Sequence, residues 1–163
     1  MAVLKMSETG KPEWWFYHLK RTTLEQAAGP LLAKCMERGW RVLAVSHDVR
    51  RRGALDASLW TYDDESFLPH GQAEAEGLDP ARQPILISET PTNANNANVA
   101  LLMDGADLAV DAAYERCMVM FDDADQPVRN KARGQYKAAA DAGMVVRYFQ
   151  QTEQGGWKEA GKG

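Results

Sequence analysis

The chain has 163 residues, of which 45% are hydrophobic and 26% charged, a composition typical of one globular domain with a sizeable core. Its formal net charge of −4 gives no reason to expect the whole molecule to coat nucleic acid. No stretch approaches the roughly 18 consecutive apolar residues that a membrane helix needs, and the first 13 residues lack the pattern of a secretory signal. We therefore expect a cytoplasmic protein.

The first half of the chain alternates between strand and helix patterns. We expect residues 1–13 to form a polar leader, followed by an aromatic strand over residues 14–19. Thr22 and Thr23 are candidate N-caps of a helix that ends near Gly39. Residues 40–46 predict a strand that is buried on both faces, as parallel strands usually are. In the helix that follows, capped by Asp48, we expect the cations to point outward and the leucines inward: Arg50, Arg51 and Arg52 against Leu55 and Leu59.

The second half continues the same alternation. Apolar runs over residues 84–88, 99–103 and 144–149 predict three more strands. Between the last two runs we predict two helices. One is capped by Asp111, with an apolar stripe at i, i+3, i+4 and i+7; the other begins at Asp125 or Pro127 and ends at Gly143. The stripe of the first helix consists of Tyr114, Cys117, Met118 and Phe121.

Together these elements predict an α/β fold with three α/β/α layers around a mostly parallel sheet of about five strands. The fold is Rossmann-like but has no nucleotide-binding loop. The turns over residues 20–23 and 47–49 contain no glycine, and no G-x-x-x-x-G-K-[ST] motif occurs. We assign residues 1–13 to a leader, residues 14–151 to a single domain and residues 152–163 to a polar tail.

The search for catalytic groups gives no constellation. His47 follows a strand, where α/β enzymes often place catalytic groups, but no nucleophile or carboxylate partner is specified beside it. Asp63, Asp64 and Glu65 lack the spacing of a metal site and are more simply a solvated acidic turn. We expect no catalytic residue, no metal and no cofactor.

The helix after Pro127 is more informative. Arg129, Arg133, Tyr136 and Lys137 fall within about a third of its circumference. Cations beside an aromatic ring suit an anionic peptide with a hydrophobic end, because guanidinium groups fork onto carboxylates. A solvated basic face and direct contact with phosphates are the alternatives that the residues leave open.

Residues 56–70 carry two large aromatics, Trp60 and Phe67, on either side of the acidic turn. Either they fold back into the core, or they are offered to a partner as aromatic anchors of an interface.

Several motifs resemble the family of the chi subunit of bacterial DNA polymerase III. They are Phe-Tyr-His-Leu at 16–19, Gly-Trp-Arg-Val-Leu at 39–43, Leu-Asp-x-x-Leu-Trp at 55–60 and Glu-Ser-Phe-Leu-Pro-His at 65–70. The set formed by Arg129, Arg133, Tyr136 and Lys137 agrees in order and spacing, and the likeness extends to about Gln151.

The resemblance implies a non-catalytic adaptor within a DNA-directed DNA polymerase holoenzyme, a monomer or a heterodimer. It connects the clamp loader, through the psi subunit, to single-stranded DNA-binding protein. The resemblance places the acidic C-terminal tail of that protein on Arg129, Arg133, Tyr136 and Lys137. It places the psi subunit, or a repair helicase, on the aromatic stretch: Trp60, Phe67, Leu68 and Pro69. Contact with nucleic acid would be mainly indirect.

Two rival functions belong to other classes. One is a nucleotide-dependent α/β enzyme that uses His47. The other is direct binding of single-stranded DNA by Arg50, Arg51 and Arg52.

Overall fold

A computed structural model of the chain describes residues 12–62 and 68–160, and its main feature is one sheet of eight strands in the order β3-β4-β2-β5-β6-β1-β7-β8. All neighbouring strands run parallel except β8, which pairs antiparallel with β7. The strands are β1 Glu13–Leu19, β2 Val42–Val45, β3 His70–Gln72, β4 Ile85–Ser88, β5 Val99–Met103, β6 Arg116–Asp122, β7 Val145–Gln151 and β8 Trp157–Glu159.

Within the described residues, three α-helices connect the strands over both faces of the sheet: α1 Leu24–Glu37, α2 Val49–Trp60 and α3 Gln126–Asp141. Tyr17 and Leu19 of β1 pack with α1 and α2 on one face. Trp14 and Phe16 point the other way and pack with α3, because successive side chains of a strand alternate between faces. The predicted α/β/α architecture with a mostly parallel sheet is therefore confirmed, although the sheet has eight strands instead of about five.

The helix predicted from Asp111 onward is wrong, because residues 116–122 form strand β6 in the middle of the sheet. β6 lies between β5 and β1, and both of its faces are covered. Every position from Cys117 to Phe121 is consequently buried and apolar, so an apparent helical stripe arises from a continuous apolar run. The run is also shorter than most helices, which is the feature that favours a strand.

The other predicted helices begin and end as expected. Thr23 accepts a hydrogen bond from the Gln26 N–H, and the Gln26 side chain accepts one from the Thr23 N–H, forming a capping box at the start of α1. Asp48 caps α2 and Asp125 caps α3. Gly143 follows α3 with a φ of 77°, a left-handed conformation that favours glycine.

The expectation that Arg50, Arg51 and Arg52 all point outward is wrong for Arg52, which is only 7% exposed. Its Nη1 donates to the Ser46 carbonyl oxygen at 2.8 Å. Arg51 pairs with Glu25 and, at 3.1 Å, with Asp104. Only the first of the three cations is exposed, so they do not form the basic patch that direct binding of DNA would require.

None of the helices within residues 12–62 and 68–160 is long and apolar enough to cross a membrane.

Candidate functional site

The loop between β1 and α1 is closed by a side chain from the last residue of β7, the strand next to β1. The Oε1 atom of Gln151 accepts hydrogen bonds from the backbone N–H groups of Lys20, Arg21 and Thr22 at 3.2, 2.9 and 3.1 Å. Its Nε2 donates to the Thr22 hydroxyl at 2.8 Å. In nucleotide-binding α/β proteins, N–H groups at this position hold a phosphate. Here these N–H groups already donate to the side-chain carbonyl oxygen of Gln151.

A pocket of about 470 Å³ lies between α3 and strands β1, β6 and β7. α3 contributes Arg129, Arg133 and Tyr136, three of the four residues that the helical spacing grouped together. They share a face because residues three and four apart in a helix are neighbours. The rest of the lining comes from strands β1, β6 and β7 and from the residue after β8: His18, Phe121, Tyr148 and Ala160.

The floor of the pocket is a cluster of aromatic rings. The Tyr136 ring lies 5.3 Å from that of Phe16 and 6.1 Å from that of Tyr148, measured between centroids. The His18 imidazole stacks on Phe121 at 4.8 Å. An apolar group entering the pocket would therefore meet ring faces and edges.

A hydrogen-bonded chain fixes two of these rings. His18 Nε2 lies 2.6 Å from Asp123 Oδ1, and the Tyr148 hydroxyl lies 2.7 Å from His18 Nδ1. Because an ionised carboxylate only accepts, Nε2 carries the proton, and a neutral imidazole then accepts the Tyr148 hydrogen at Nδ1. The hydrogen bond from His18 lowers the pKa of Asp123 below its ordinary value. This chain orients the pocket wall, and its carboxylate, Asp123, also pairs with Arg129 of α3.

Arg129 and Arg133 differ in whether a carboxylate of the protein already pairs with them. Arg129 Nη1 is 3.4 Å from Asp123 Oδ1, and its buried Nε has no hydrogen-bond partner within the described part of the chain. Arg133 is exposed, and no carboxylate pairs with it among residues 12–62 and 68–160. Burial raises the pKa of Tyr148, an effect that the positive charges of Arg133 and Arg129 partly offset. Both guanidinium groups are therefore close enough to act on an anion in the pocket.

Lys137, the fourth residue of the predicted set, does not line the pocket. Its Nζ pairs with Asp141 Oδ2 at 3.0 Å, one turn further along α3, and its side chain is 77% exposed. It adds positive charge at the flank of the pocket without contributing to its wall.

Sequence reasoning did not find the contributions of His18, Phe121 and Tyr148. The carboxyl ends of parallel strands meet at one edge of a sheet. Phe121 and His18 could have been placed together had residues 116–122 been assigned to a strand. The adjacency of β7 and β1 requires the strand order, which no local pattern contains.

The second predicted binding surface surrounds Trp60, at the C-terminal end of α2. Trp60 is 58% exposed, and its ring lies 4.9 Å from that of His70. His70 in turn has Nε2 3.1 Å from Asp56 Oδ1, which connects α2 to β3. Leu68 is only 4% exposed and packs in the core, so its side chain is not available to a partner. Pro69 is half-buried, and Phe67 lies outside the described residues, as do Asp63, Asp64 and Glu65.

His47, the candidate catalytic residue, is exposed at the end of β2. The carboxylate that follows it, Asp48, accepts from the Arg50 N–H as the cap of α2. No group of three or more metal-ligating side chains occurs within residues 12–62 and 68–160.

Fold and site define the class of protein: an α/β domain whose loop after the first strand is internally closed, with a cationic and aromatic pocket on its surface. Comparison with known proteins is more specific. Residues 12–147 match the family model described as DNA polymerase III chi subunit, HolC. The chain therefore belongs to the DNA polymerase III chi subunit family.

One relative is a probable DNA polymerase III subunit chi from Rickettsia prowazekii (strain Madrid E). It is 32% identical over 93 residues, which cover 57% of this chain and 55% of the relative. The matched region thus spans about half the length of that curated protein.

Proposed function

We propose that this protein is a non-catalytic accessory subunit of DNA polymerase III that acts in DNA replication. In this role it binds the acidic C-terminal tail of single-stranded DNA-binding protein and links that protein to the clamp loader. Family membership supports the polymerase assignment. The observation that carries the binding proposal is the pocket that Arg129 and Arg133 line together with Tyr136 and Tyr148.

The pocket suits a peptide that ends in a phenylalanine with a free carboxylate. The phenyl ring packs against the tyrosine rings of the floor, and the terminal carboxylate accepts from a guanidinium fork. Acidic side chains further along the tail meet the positive charge of Lys137, on the flank. Each exposed ion pair contributes only about 0–1 kcal/mol, so the complex is weak and salt-sensitive.

Arg133 is the better first contact for the peptide carboxylate. Arg129 is already 3.4 Å from the Asp123 carboxylate, so a peptide has to compete with that internal partner. Arg133 is exposed and carries no such cost. Removing Arg133 therefore affects binding more directly than it affects folding.

The test is a titration of a labelled tail peptide, acidic and ending in phenylalanine, against the wild type and Arg133→Ala. We expect Arg133→Ala to weaken binding by about five- to tenfold, the equivalent of roughly 1–1.4 kcal/mol. Lys131→Ala is a matched control, because Lys131 lies on the same helix but pairs with Asp107, away from the pocket. An amidated peptide should lose affinity for the wild type. Equal affinity of all three proteins would contradict the proposal.

We also propose that the Trp60 surface holds a second protein, the psi subunit or a repair helicase. A large aromatic side chain left 58% exposed at a helix end is the supporting observation, since such residues anchor protein interfaces. Trp60→Ala should abolish capture of that partner while tail binding persists. Val49→Ala is the control, because Val49 is 68% exposed at the opposite end of the same helix. Loss of tail binding together with partner binding in Trp60→Ala would indicate unfolding instead.

A further inference from the structure

A second pocket, of about 190 Å³, lies on the opposite face of the sheet from the α3 pocket. Its lining comes mainly from α1 and from strands β1, β6, β7 and β8. Its walls are unusually rich in aromatic rings, contributed by Trp15, Tyr17, Trp40, Phe149 and Trp157.

The strand order explains why these rings converge. Trp15 and Tyr17 are two residues apart on β1, so their side chains point to the same face of the sheet. Phe149 on β7 is the register partner of Tyr17. The Phe149 ring stacks on Tyr17 at 5.2 Å, and Trp157 of β8 meets Tyr17 edge-on at 5.1 Å. β8 therefore supplies one wall, which gives the segment after β7 a role in building the pocket.

Cationic side chains lie next to the aromatic rings of this pocket. The Arg116 guanidinium carbon lies 3.6 Å from the centre of the Trp15 ring and 4.9 Å from that of Trp40. Arg38 lies over Trp40 at 5.1 Å, and Lys34 lies beside it at the end of α1. Such contacts stabilise cations by about 0.5–2 kcal/mol, but they do not neutralise charge.

Arg116 is partly buried, whereas Arg38 and Lys34 are exposed. Its Nε is buried without a hydrogen-bond partner, and it forms no salt bridge within the described part of the chain. Burial lowers its pKa, with Glu13 as the main nearby carboxylate that opposes this effect. Arg147 differs, because Glu159 holds it with hydrogen bonds of 2.9 and 2.7 Å. The pocket thus carries excess positive charge next to an unsatisfied donor, which an anion would satisfy.

The floor is also polar. The Tyr17 hydroxyl and the Cys35 thiol both belong to residues that line the pocket. Burial raises the pKa of both, that of Cys35 to about 11, so both groups are neutral at physiological pH. No group within residues 12–62 and 68–160 hydrogen-bonds the Tyr17 hydroxyl. It is available to a ligand that carries polar atoms on its ring edge.

We propose that this pocket binds a nucleobase together with its phosphate, either as a free nucleotide or as part of a single DNA strand. The base packs against Trp157, the pocket indole over which no guanidinium lies within the described residues, much as bases stack on aromatic platforms in single-strand binding proteins. The phosphate pairs with Arg116 and Arg38, and the Tyr17 hydroxyl bonds the edge of the base.

The dimensions and chemistry favour this ligand over an acidic peptide. The volume is below the roughly 300 Å³ at which pockets take whole drug-sized molecules, so the site accepts one ring group at a time. A phenyl ring would leave the Tyr17 hydroxyl without a partner, whereas a base would satisfy it. The site is separate from the α3 pocket and does not depend on its assignment.

The experiment is a tryptophan fluorescence titration of the full chain, corrected for absorption by the base. Trp15, Trp40 and Trp157 line the pocket, so a stacked base quenches their emission. The ligands are thymidine 5′-monophosphate, oligothymidylate, thymidine and inorganic phosphate. We expect quenching by the two phosphate-bearing ligands, weaker binding of thymidine, and no quenching by phosphate alone.

Two variants test the cations. Arg38→Gln should weaken binding of the nucleotide about three- to tenfold, in line with the loss of one phosphate contact. Arg38 is exposed, so this variant keeps its fold, whereas Arg116→Gln is interpreted only after urea unfolding shows a native transition.

Two further variants serve as controls. Arg50→Gln removes an exposed cation elsewhere and should bind like the wild type. Arg133→Ala should also bind normally, which separates this site from the α3 pocket.

Comparing thymidine 5′-monophosphate with oligothymidylate distinguishes a free nucleotide from a single DNA strand as the ligand. Equal affinity for the mononucleotide and the oligomer indicates one terminal nucleotide, and tighter binding of the oligomer indicates a continuous strand. Absence of quenching by both up to millimolar concentration overturns the proposal. Equal binding by Arg38→Gln and Arg50→Gln overturns it as well, and so does full displacement of the nucleotide by an acidic phenylalanine-ended peptide.

Discussion

Replacing Gln151 by leucine tests how the loop after β1 is held closed. The change keeps the size of the side chain but removes four hydrogen bonds, three from the N–H groups of residues 20–22 and one to the Thr22 hydroxyl. Gln151 is 6% exposed, so water does not replace its amide at the buried end. Each such bond contributes about 0.5–1.5 kcal/mol, and the loop is partly exposed, so we expect a loss of about 2–4 kcal/mol in the free energy of unfolding.

Urea denaturation followed by circular dichroism measures this loss. With a slope of roughly 2 kcal/mol per molar urea, the midpoint should fall by about 1–2 M. Gln150→Leu is the matched control on the same strand, since the Gln150 side chain makes no hydrogen bond within the described part of the chain. A loss below about 0.5 kcal/mol in Gln151→Leu would refute the view that this residue closes the loop, because surface substitutions reach that size.

Three further predictions concern other parts of the structure. Asp125→Ala removes the cap of α3 and should lower the free energy of unfolding by about 0.5–2 kcal/mol, measured by urea denaturation, and a change near zero would contradict the capping role. Trp60→Ala should change stability by less than about 0.5 kcal/mol in the same assay, since the side chain is mostly exposed, and a loss above about 2 kcal/mol would show that it is core. His18 lowers the pKa of Asp123, so the stability that this carboxylate contributes is present above the ordinary value of about 4 and is lost as pH falls through the lower folded value. Asp123→Asn should therefore flatten the decline of the urea midpoint with acidity in that range, and an unchanged profile would contradict the His18–Asp123 assignment.

Local sequence patterns were sufficient to predict features that depend on a single helix or strand. The face of α3 that carries Arg129, Arg133 and Tyr136 follows from helical geometry alone, and the caps at Thr23 and Asp125 follow from short-range hydrogen bonding. The parallel sheet follows from the alternation of strands and helices.

The remaining features depend on contacts between distant segments. β6 was misassigned because burial on both faces removes the alternation by which strands are recognised. The role of Gln151 depends on a partner 129 to 131 residues away along the chain. The exposure of Trp60 depends on how α2 packs against β3 and could not be decided from composition. His18 and Tyr148 enter the site only once β1 and β7 are known to be neighbours.

The most direct test of the proposed function is the affinity of the acidic tail of single-stranded DNA-binding protein for this chain. Fluorescence anisotropy with the labelled tail peptide, at low and at moderate salt, gives that affinity for the wild type, Arg133→Ala and Lys131→Ala. We expect salt-sensitive binding that Arg133→Ala weakens by about five- to tenfold and Lys131→Ala preserves. Binding that is absent in the wild type, or equal in Arg133→Ala and Lys131→Ala, would contradict the proposed tail binding.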